Sequence, residues 1–242
     1  MKTTQTQSIT RLMIAFFAFA TSVAISSAAN SVTVTNAQST GSVVASYHPT
    51  TTGGYQWKWT DAETGPRRDL GQTFALSTDT LLESITLKLQ SGTGVGAKNA
   101  NFTLTLFAFE ALPPTAEKPA TVIKTFHDVF PNTTYTANTY LTFDISSANI
   151  VLSGSTTVTY GFLLSFDSGA GSRAISFYSA VNTTESGKRI ESANGTTIVV
   201  TNTALDYSIQ GTAAVPEPAT VAAFLGAIVL ATSLLIRRRQ RS

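Results

Sequence analysis

The sequence of 242 residues contains no cysteine, few charged residues and only two histidines. Without cysteine, neither a disulfide nor a thiolate metal site can form, so stability must come from the hydrophobic core. Charged residues make up 12% of the chain, whereas soluble proteins average about 25%. His48 and His127 are isolated in the sequence, and no nucleophile, zinc-protease or phosphate-loop motif accompanies them. These absences predict a protein that is not an enzyme and has no cofactor.

The net charge of +2 is distributed unevenly along the chain. Six of the 16 basic residues lie in the two terminal segments, which leaves 10 basic residues in the body against 13 acidic ones once Glu217 is set apart. A mildly acidic body offers no electrostatic surface for phosphates. The sequence therefore predicts no nucleic-acid partner.

Residues 1–29 have the three parts of a secretory signal peptide. Lys2 and Arg11 form a basic region, an apolar run occupies residues 12–25, and small residues at 26–29 suit a signal peptidase. As a helix, that run would cover only about 21 Å of a hydrocarbon core of about 30 Å, so a spanning helix is disfavoured. We expect cleavage after Ala28 or Ala29.

The C-terminal segment also has three parts. Residues 219–236 carry no charge, and as a helix they would cover about 27 Å, enough to span a bilayer. A proline-flanked triplet precedes them, and prolines without N–H groups keep such a triplet extended and outside the helix. A basic cluster follows them and would keep this end of the helix on the cytoplasmic side of the membrane. The triplet is Pro216, Glu217 and Pro218, and the cluster is Arg237, Arg238, Arg239 and Arg241.

These three parts, in this order, resemble the PEP-CTERM sorting signal of exported proteins from exopolysaccharide-producing Gram-negative bacteria. The resemblance implies that residues 213–242 are recognised and removed by exosortase, a membrane transpeptidase, with Pro216–Pro218 as the recognition site. It implies two partners, this enzyme and membrane lipid, and a route from the inner membrane to the cell surface or extracellular matrix. The other interpretation is an ordinary membrane anchor with a chance triplet. Neither assigns an activity to the rest of the chain.

Residues 30–212 are predicted to form one all-β domain. Residues 101–110 and 157–167 alternate apolar and polar side chains at period two, as long central strands do. Glycine, proline and asparagine separate the candidate strands, and no helical stripe is present. The pattern favours an antiparallel β-sandwich, of which a jelly roll is one form. The other candidate strands are 32–35, 43–47, 72–76, 81–89, 122–130, 140–145, 150–152, 174–179, 196–201 and 205–211.

Residues 71–89, 140–146 and 156–166 are similar in pattern to a β-sandwich domain found ahead of surface anchors in exported bacterial proteins. This resemblance supports the sandwich and implies no chemistry. The predicted function of the chain is therefore that of a non-enzymatic envelope or extracellular-matrix protein.

One aromatic stripe could bind a ligand. On a strand, Tyr55, Trp57 and Trp59 would share one face. They would form either a stacking platform for sugar rings or part of the core. The platform would make the chain a carbohydrate-binding module that tethers cells to exopolysaccharide, with hydrogen bonds from nearby polar side chains. Those side chains, in a segment predicted to be a solvated loop, are Asp61, Glu63, Arg67, Arg68 and Asp69.

The remaining polar residues give weaker signals. His127 is predicted to be an exposed strand residue, and the glycine-rich segments 91–99 and 167–172 are predicted to be turns. Calcium could bridge loops through Asp61, Asp167 or Asp206, but no spacing selects such a site, so no metal is predicted.

Overall fold

The computed structural model describes residues 32–49, 53–59, 67–91, 97–132, 134–167, 172–181, 187–195 and 197–214. The predicted signal peptide and the sorting segment from residue 215 onward lie outside these ranges. Within them, no helix has the length and apolar character that crossing a membrane requires.

The described part of the chain is all-β, with fifteen strands and one short 3-10 turn at Ser146–Ala148. Every pair of neighbouring strands is antiparallel. The strands are β1 (Thr33–Thr35), β2 (Val43–Tyr47), β3 (Gly53–Trp59), β4 (Asp69–Phe74), β5 (Thr80–Ser91), β6 (Asn101–Phe109), β7 (Thr121–Val129), β8 (Tyr140–Asp144), β9 (Ile150–Leu152), β10 (Thr159–Phe166), β11 (Arg173–Val181), β12 (Arg189–Ser192), β13 (Val199–Val200), β14 (Thr203–Leu205) and β15 (Tyr207–Ala213).

The strands form two sheets, and the architecture is sandwich-like, as the alternating pattern predicts. The first sheet has nine strands, with β1, β8, β5, β11 and β14 in that order. In the same sheet β9 and β15 pair with β5, β2 pairs with β15, and β3 pairs with β11. The second sheet has six strands in the order β13, β12, β4, β10, β6 and β7.

The main core lies between the sheets and is rich in aromatic side chains. The two long strands predicted from alternation, β6 and β10, are neighbours in register, with Leu106 opposite Phe162. Phe102, Leu104 and Phe166 of these strands are also buried in the core. The predicted inward faces are therefore confirmed for both strands.

The outer face of the second sheet carries a smaller core. Phe107 and Phe109, which alternation places opposite Phe102, are buried with Leu163 and Ile190. Leu112 and other half-buried side chains pack against them. The C-terminal part of β6 is therefore buried on both faces, and its outward positions there are large aromatics.

Several boundaries differ from the prediction. The predicted strand 205–211 is two strands, since Asp206 interrupts the run between β14 and β15. β4 begins at Asp69 instead of residue 72, and its six residues are all buried. β12 was not predicted, because four residues with two charged side chains give little periodic signal.

Candidate functional site

The predicted sorting residues lie outside the described part of the chain. Those residues are Pro216, Glu217, Pro218, Arg237, Arg238, Arg239 and Arg241. Their role stays a prediction. The last described strand, β15, ends at Ala213, one residue after the predicted end of the domain at residue 212.

The aromatic stripe of β3 divides between two environments. Trp57 has no exposed surface, and its ring stacks on Phe166 at 3.9 Å between centroids with an interplanar angle of 12°. Tyr55, on the same face two residues earlier, is half-buried. The side chain of Trp59 lies outside the described residues. A sugar platform that includes Trp57 is therefore wrong, because a buried ring presents no face to a ligand.

Tyr55 belongs to a polar cluster that joins the two sheets. Its hydroxyl donates a hydrogen bond to Oε2 of Glu191 on β12, at 2.6 Å. The Arg189 guanidinium carbon lies 3.3 Å from the Tyr55 ring centroid, and that of Arg68 lies 4.5 Å away. Tyr55 comes from the first sheet, whereas Arg189 and Glu191 come from the second. The cluster therefore closes one edge of the sandwich with charged groups in place of apolar ones.

Arg189 is the central cation of this cluster and is 7% exposed. Its Nε and one terminal nitrogen donate to Oε1 of Glu191 at 3.1 and 2.8 Å. The other terminal nitrogen donates to Ser179 Oγ on β11 at 3.2 Å. Arg68 Nε lies 3.6 Å from Oε2 of the same carboxylate. The cluster holds two guanidinium groups against one carboxylate, so its formal charge is positive.

The pKa of Tyr55 reports the balance of these neighbours. Burial raises the pKa above its ordinary value, and the hydrogen bond to Glu191 raises it further. The positive charge of Arg189 acts in the opposite direction. The hydroxyl therefore stays protonated and remains a donor to Glu191.

His48 forms a second polar pair near this cluster. Its Nδ1 lies 2.7 Å from Oδ1 of Asp206, with the His48 side chain 51% exposed and the Asp206 side chain 5% exposed. The Asp206 backbone is fixed by hydrogen bonds to Tyr178 and Lys88. The contact at Nδ1 leaves Nε2 as the ring nitrogen available to a ligand. His48 is isolated in the sequence, but in the structure it has a partner that lies 158 positions away in the chain.

The pair of His48 and Asp206 is the kind that orients an imidazole as a base. Base catalysis at a hydroxyl also requires that hydroxyl within hydrogen-bonding distance of Nε2. No such hydrogen bond to Nε2 is present among the described residues. Within that part of the chain, the pair can orient Nε2 of His48 toward a ligand. It does not form a nucleophile–base pair with a hydroxyl group.

Tyr55 and Arg189 of the polar cluster, together with His48, line one open cleft of about 970 Å³. Ligand sites are typically about 300 to 1,000 Å³, so its size suits a ligand. We call it the distal cleft, and its wall is formed by Tyr47, His48, Pro49, Gly53, Gly54, Tyr55, Ser179, Ala180, Val181, Arg189 and Thr203. It brings together residues from β2, β3, β11, β12 and β14.

The segment predicted to be a solvated loop is structured at its C-terminal end. Asp69 begins β4 and is 1% exposed, and it accepts two hydrogen bonds from Arg67 Nε at 2.8 and 3.0 Å. Burial raises the pKa of the Asp69 carboxyl, although Arg67 acts to lower it. Asp69 is thus a buried, paired carboxylate and cannot hydrogen-bond a ligand from a loop. Asp61 and Glu63 lie outside the described residues.

The remaining polar residues singled out in the sequence are His127 and the candidate calcium ligands Asp167 and Asp206. His127 lies on β7 and is exposed, as predicted, and its Nδ1 lies 2.9 Å from Thr103 Oγ1. Thr103 in turn donates to Asp167 at 2.6 Å, whereas Asp206 pairs with His48. The two aspartates thus belong to different hydrogen-bonded groups. Among the described residues, no three acidic or imidazole side chains gather as a metal site.

Sequence reasoning missed most of the distal cleft. Arg189 and Glu191 alternate with Ile190 over only four residues, which is too short for a confident strand. Asp206 carried one usable signal, since a lone acid interrupts an otherwise apolar and hydroxyl-rich run. The pairing of distant residues follows from strand order, which periodicity does not specify.

No protein-family model matches this sequence, and no curated protein is significantly similar to it.

Proposed function

We propose that this protein is a non-enzymatic component of the cell envelope or extracellular matrix, exported and then sorted through a C-terminal PEP-CTERM anchor. The observation that carries the proposal is the order of the last 27 residues: a proline-flanked triplet at 216–218, an uncharged run at 219–236 and a cluster of arginines. The run would be a transient membrane helix, and the arginines would stop transfer at the cytoplasmic side. An exosortase-type transpeptidase and membrane lipid would be its partners.

The end of the domain supports this division of the chain. The Ala214 amide donates to the carbonyl of Asp79 at 2.8 Å, directly after β15. Only Val215 then separates the folded part from Pro216. Removal of the tail within or after the triplet would therefore leave every described strand intact.

The first and last described strands begin and end at the same end of the nine-stranded sheet, which is compatible with a domain held above a membrane by its C-terminal segment. β15 ends with Ala213 opposite Thr80, the first residue of β5. β1 begins with Thr33 opposite Asp144, and Asp144 pairs with Ser84 near the same end of β5. The chain thus enters and leaves the nine-stranded sheet at one end. A predicted signal peptide before β1 and a predicted anchor after β15 would both lie on this side.

The experiment that tests the proposal replaces Pro216, Glu217 and Pro218 with alanine in a host that has the sorting enzyme. We expect the unprocessed full-length chain to accumulate in the membrane, because an alanine triplet can extend the helix and removes the recognition residues. The matched control replaces Glu117, Lys118 and Pro119 with alanine, since these residues lie in an exposed loop of the same domain. Immunoblots of membrane and surface fractions provide the measurement. Normal release of the triplet variant would refute sorting by this signal.

A further inference from the structure

We propose that the distal cleft binds an acidic saccharide, whose carboxylates are held by Arg189 and His48. This inference depends on the proposed function only for the surface location that exposes the cleft to a polysaccharide. The binding chemistry comes from the described residues alone.

The charge of the cleft wall selects an anion. Among the described residues, the basic side chains that line the wall are Arg189 and His48, and no acidic residue lines it. Their carboxylate partners, Glu191 and Asp206, contact them at 2.8 and 2.7 Å and are not part of the described wall. Partners in this position fix the two donors and leave their other polar atoms for a ligand.

Arg189 retains donors for such a ligand. A guanidinium has five N–H groups, and the hydrogen bonds to Glu191 and Ser179 engage three of them. The group is held against the Tyr55 ring and is 7% exposed. A cation that is already desolvated and fixed loses little entropy on binding, so a carboxylate placed at its edge would gain a strong charge-assisted bond.

The rest of the wall suits a sugar better than an acidic peptide. The half-buried ring of Tyr47 is held at the rim by a hydrogen bond from its hydroxyl to the carbonyl of Val181, at 3.0 Å. It supplies aromatic surface of the kind on which the C–H faces of sugar rings pack, whereas the Tyr55 ring is covered by the guanidinium groups of Arg189 and Arg68. Ser179 and Thr203 add hydroxyl groups to the wall. A mixed wall of rings, hydroxyls and fixed cations matches a ligand that combines hydroxyl, C–H and carboxylate groups.

The position of the cleft makes it accessible in an anchored protein. Tyr47 pairs with Tyr207, and Tyr207 pairs with Leu87 of β5. Ala213, where the chain leaves the sheet, pairs with Thr80. The seven-residue separation along β5 is about 23 Å. The cleft therefore lies toward the end of the sheet opposite to the predicted anchor, facing away from the membrane.

Charge changes at exposed positions test the site without disturbing the fold. Val181 belongs to the cleft wall and is 71% exposed, and Val151 on β9, which pairs near Thr80, is 57% exposed. We expect Val181→Glu to weaken binding and Val181→Lys to strengthen it, with about a tenfold difference between the two in low salt. The same two substitutions at Val151 are the matched controls and should leave affinity unchanged. A His48→Ala variant should weaken binding by about threefold, through loss of one hydrogen bond.

Binding is measured by calorimetry on the full-length chain in detergent, so sorting is not involved. The probes are an oligogalacturonate, its neutral methyl ester and an oligoglutamate peptide of similar charge. The expected result is binding of the oligogalacturonate, with much weaker binding of the ester and the peptide. Equal binding of the ester, preference for the peptide, no binding of the oligogalacturonate, or equal affinities for the two Val181 variants would each overturn the inference. None of these results would affect the sorting proposal, which concerns residues 213–242.

Discussion

Two residues on one face of β3 show how differently the middle and the edge of this sandwich are built. Trp57 has no exposed surface and stacks on Phe166 of β10. Tyr55 hydrogen-bonds to Glu191 and contacts the guanidinium group of Arg189, both on β12. The strand and the face are the same, and the residue types are similar. What differs is the strand that lies opposite.

This difference explains why an aromatic stripe in a sequence does not identify a binding platform. β10 is a long apolar strand in the centre of its sheet, so a ring opposite it becomes part of the core. β12 is a short strand with charged residues near the edge of that sheet, so a ring opposite it joins a polar cluster. The neighbour across the sandwich decides whether a ring stabilises the fold or lines a site.

The largest expected effect comes from the buried ring. Trp57→Ala should lower the free energy of unfolding by about 3 to 5 kcal/mol, since it removes a large core side chain and leaves a cavity. Tyr55→Ala should cost less than half as much, because the ring is half-buried at the edge. Urea unfolding followed by circular dichroism gives both values. Equal losses would contradict the distinction between core and cleft.

The glycines of the two regions sharpen the comparison. A Cβ on Gly71 of β4 would lie 1.8 Å from the carbonyl oxygen of Phe162, whereas one on Gly53 in the cleft would lie 3.8 Å from its nearest neighbour, the carbonyl oxygen of Ser179. Gly71→Ala should therefore destabilise the protein by about 3 kcal/mol, because the backbone of β10 must move. Gly53→Ala should change stability by less than about 0.5 kcal/mol. Thermal unfolding of both variants is the measurement, and a stable Gly71→Ala variant would be inconsistent with this packing.

The polar cluster should depend on its carboxylate. Glu191→Gln keeps the size of the side chain but leaves the Arg189 cation without its charged partner. We expect a loss of about 2 kcal/mol, somewhat below the range for a fully buried pair, because the Glu191 side chain is 19% exposed. Glu117→Gln, in an exposed loop, is the control and should have no measurable effect. If both substitutions were neutral in urea unfolding, the cluster would not hold the two sheets together.

The smallest expected effect is the pH dependence of stability that comes from one buried tyrosine hydroxyl. Burial raises the pKa of Tyr135, a core residue 2% exposed, to about 12. The folded protein then keeps this proton where the unfolded chain has lost it, so the contribution is complete below pH 10 and falls as the pH rises toward 12. At pH 11 the loss is about 1.4 kcal/mol. Tyr135→Phe should remove this part of the decline between pH 9 and 11 in urea unfolding, and an unchanged slope would contradict the burial of the hydroxyl.

Much of the fold could be predicted from the sequence, because alternation at period two records which strands face a core. β6 and β10 extend over nearly the predicted residues, and their inward side chains are the predicted ones. β2 and β9 have the predicted bounds. β12 escaped prediction, since four residues with two charges carry no clear period.

The candidate site could not be predicted in the same way. It depends on contacts between residues far apart in the chain, such as His48 with Asp206, and Tyr55 with Glu191. Periodicity assigns a residue to a face of its own strand but does not specify the strand opposite. The aromatic stripe therefore pointed to β3, which contributes Tyr55 to the candidate site. It also included Trp57, which belongs to the core.

The central claim is that the chain is an exported sandwich that loses its C-terminal tail on the way to the surface. The most direct test is the intact mass of the protein recovered from the surface or medium of its native host. The account predicts a chain that begins at Ala29 or Asn30 and lacks residues 219–242. A surface protein that retains residues 219–242, or a mature protein that is found only in the cytosol, would contradict it.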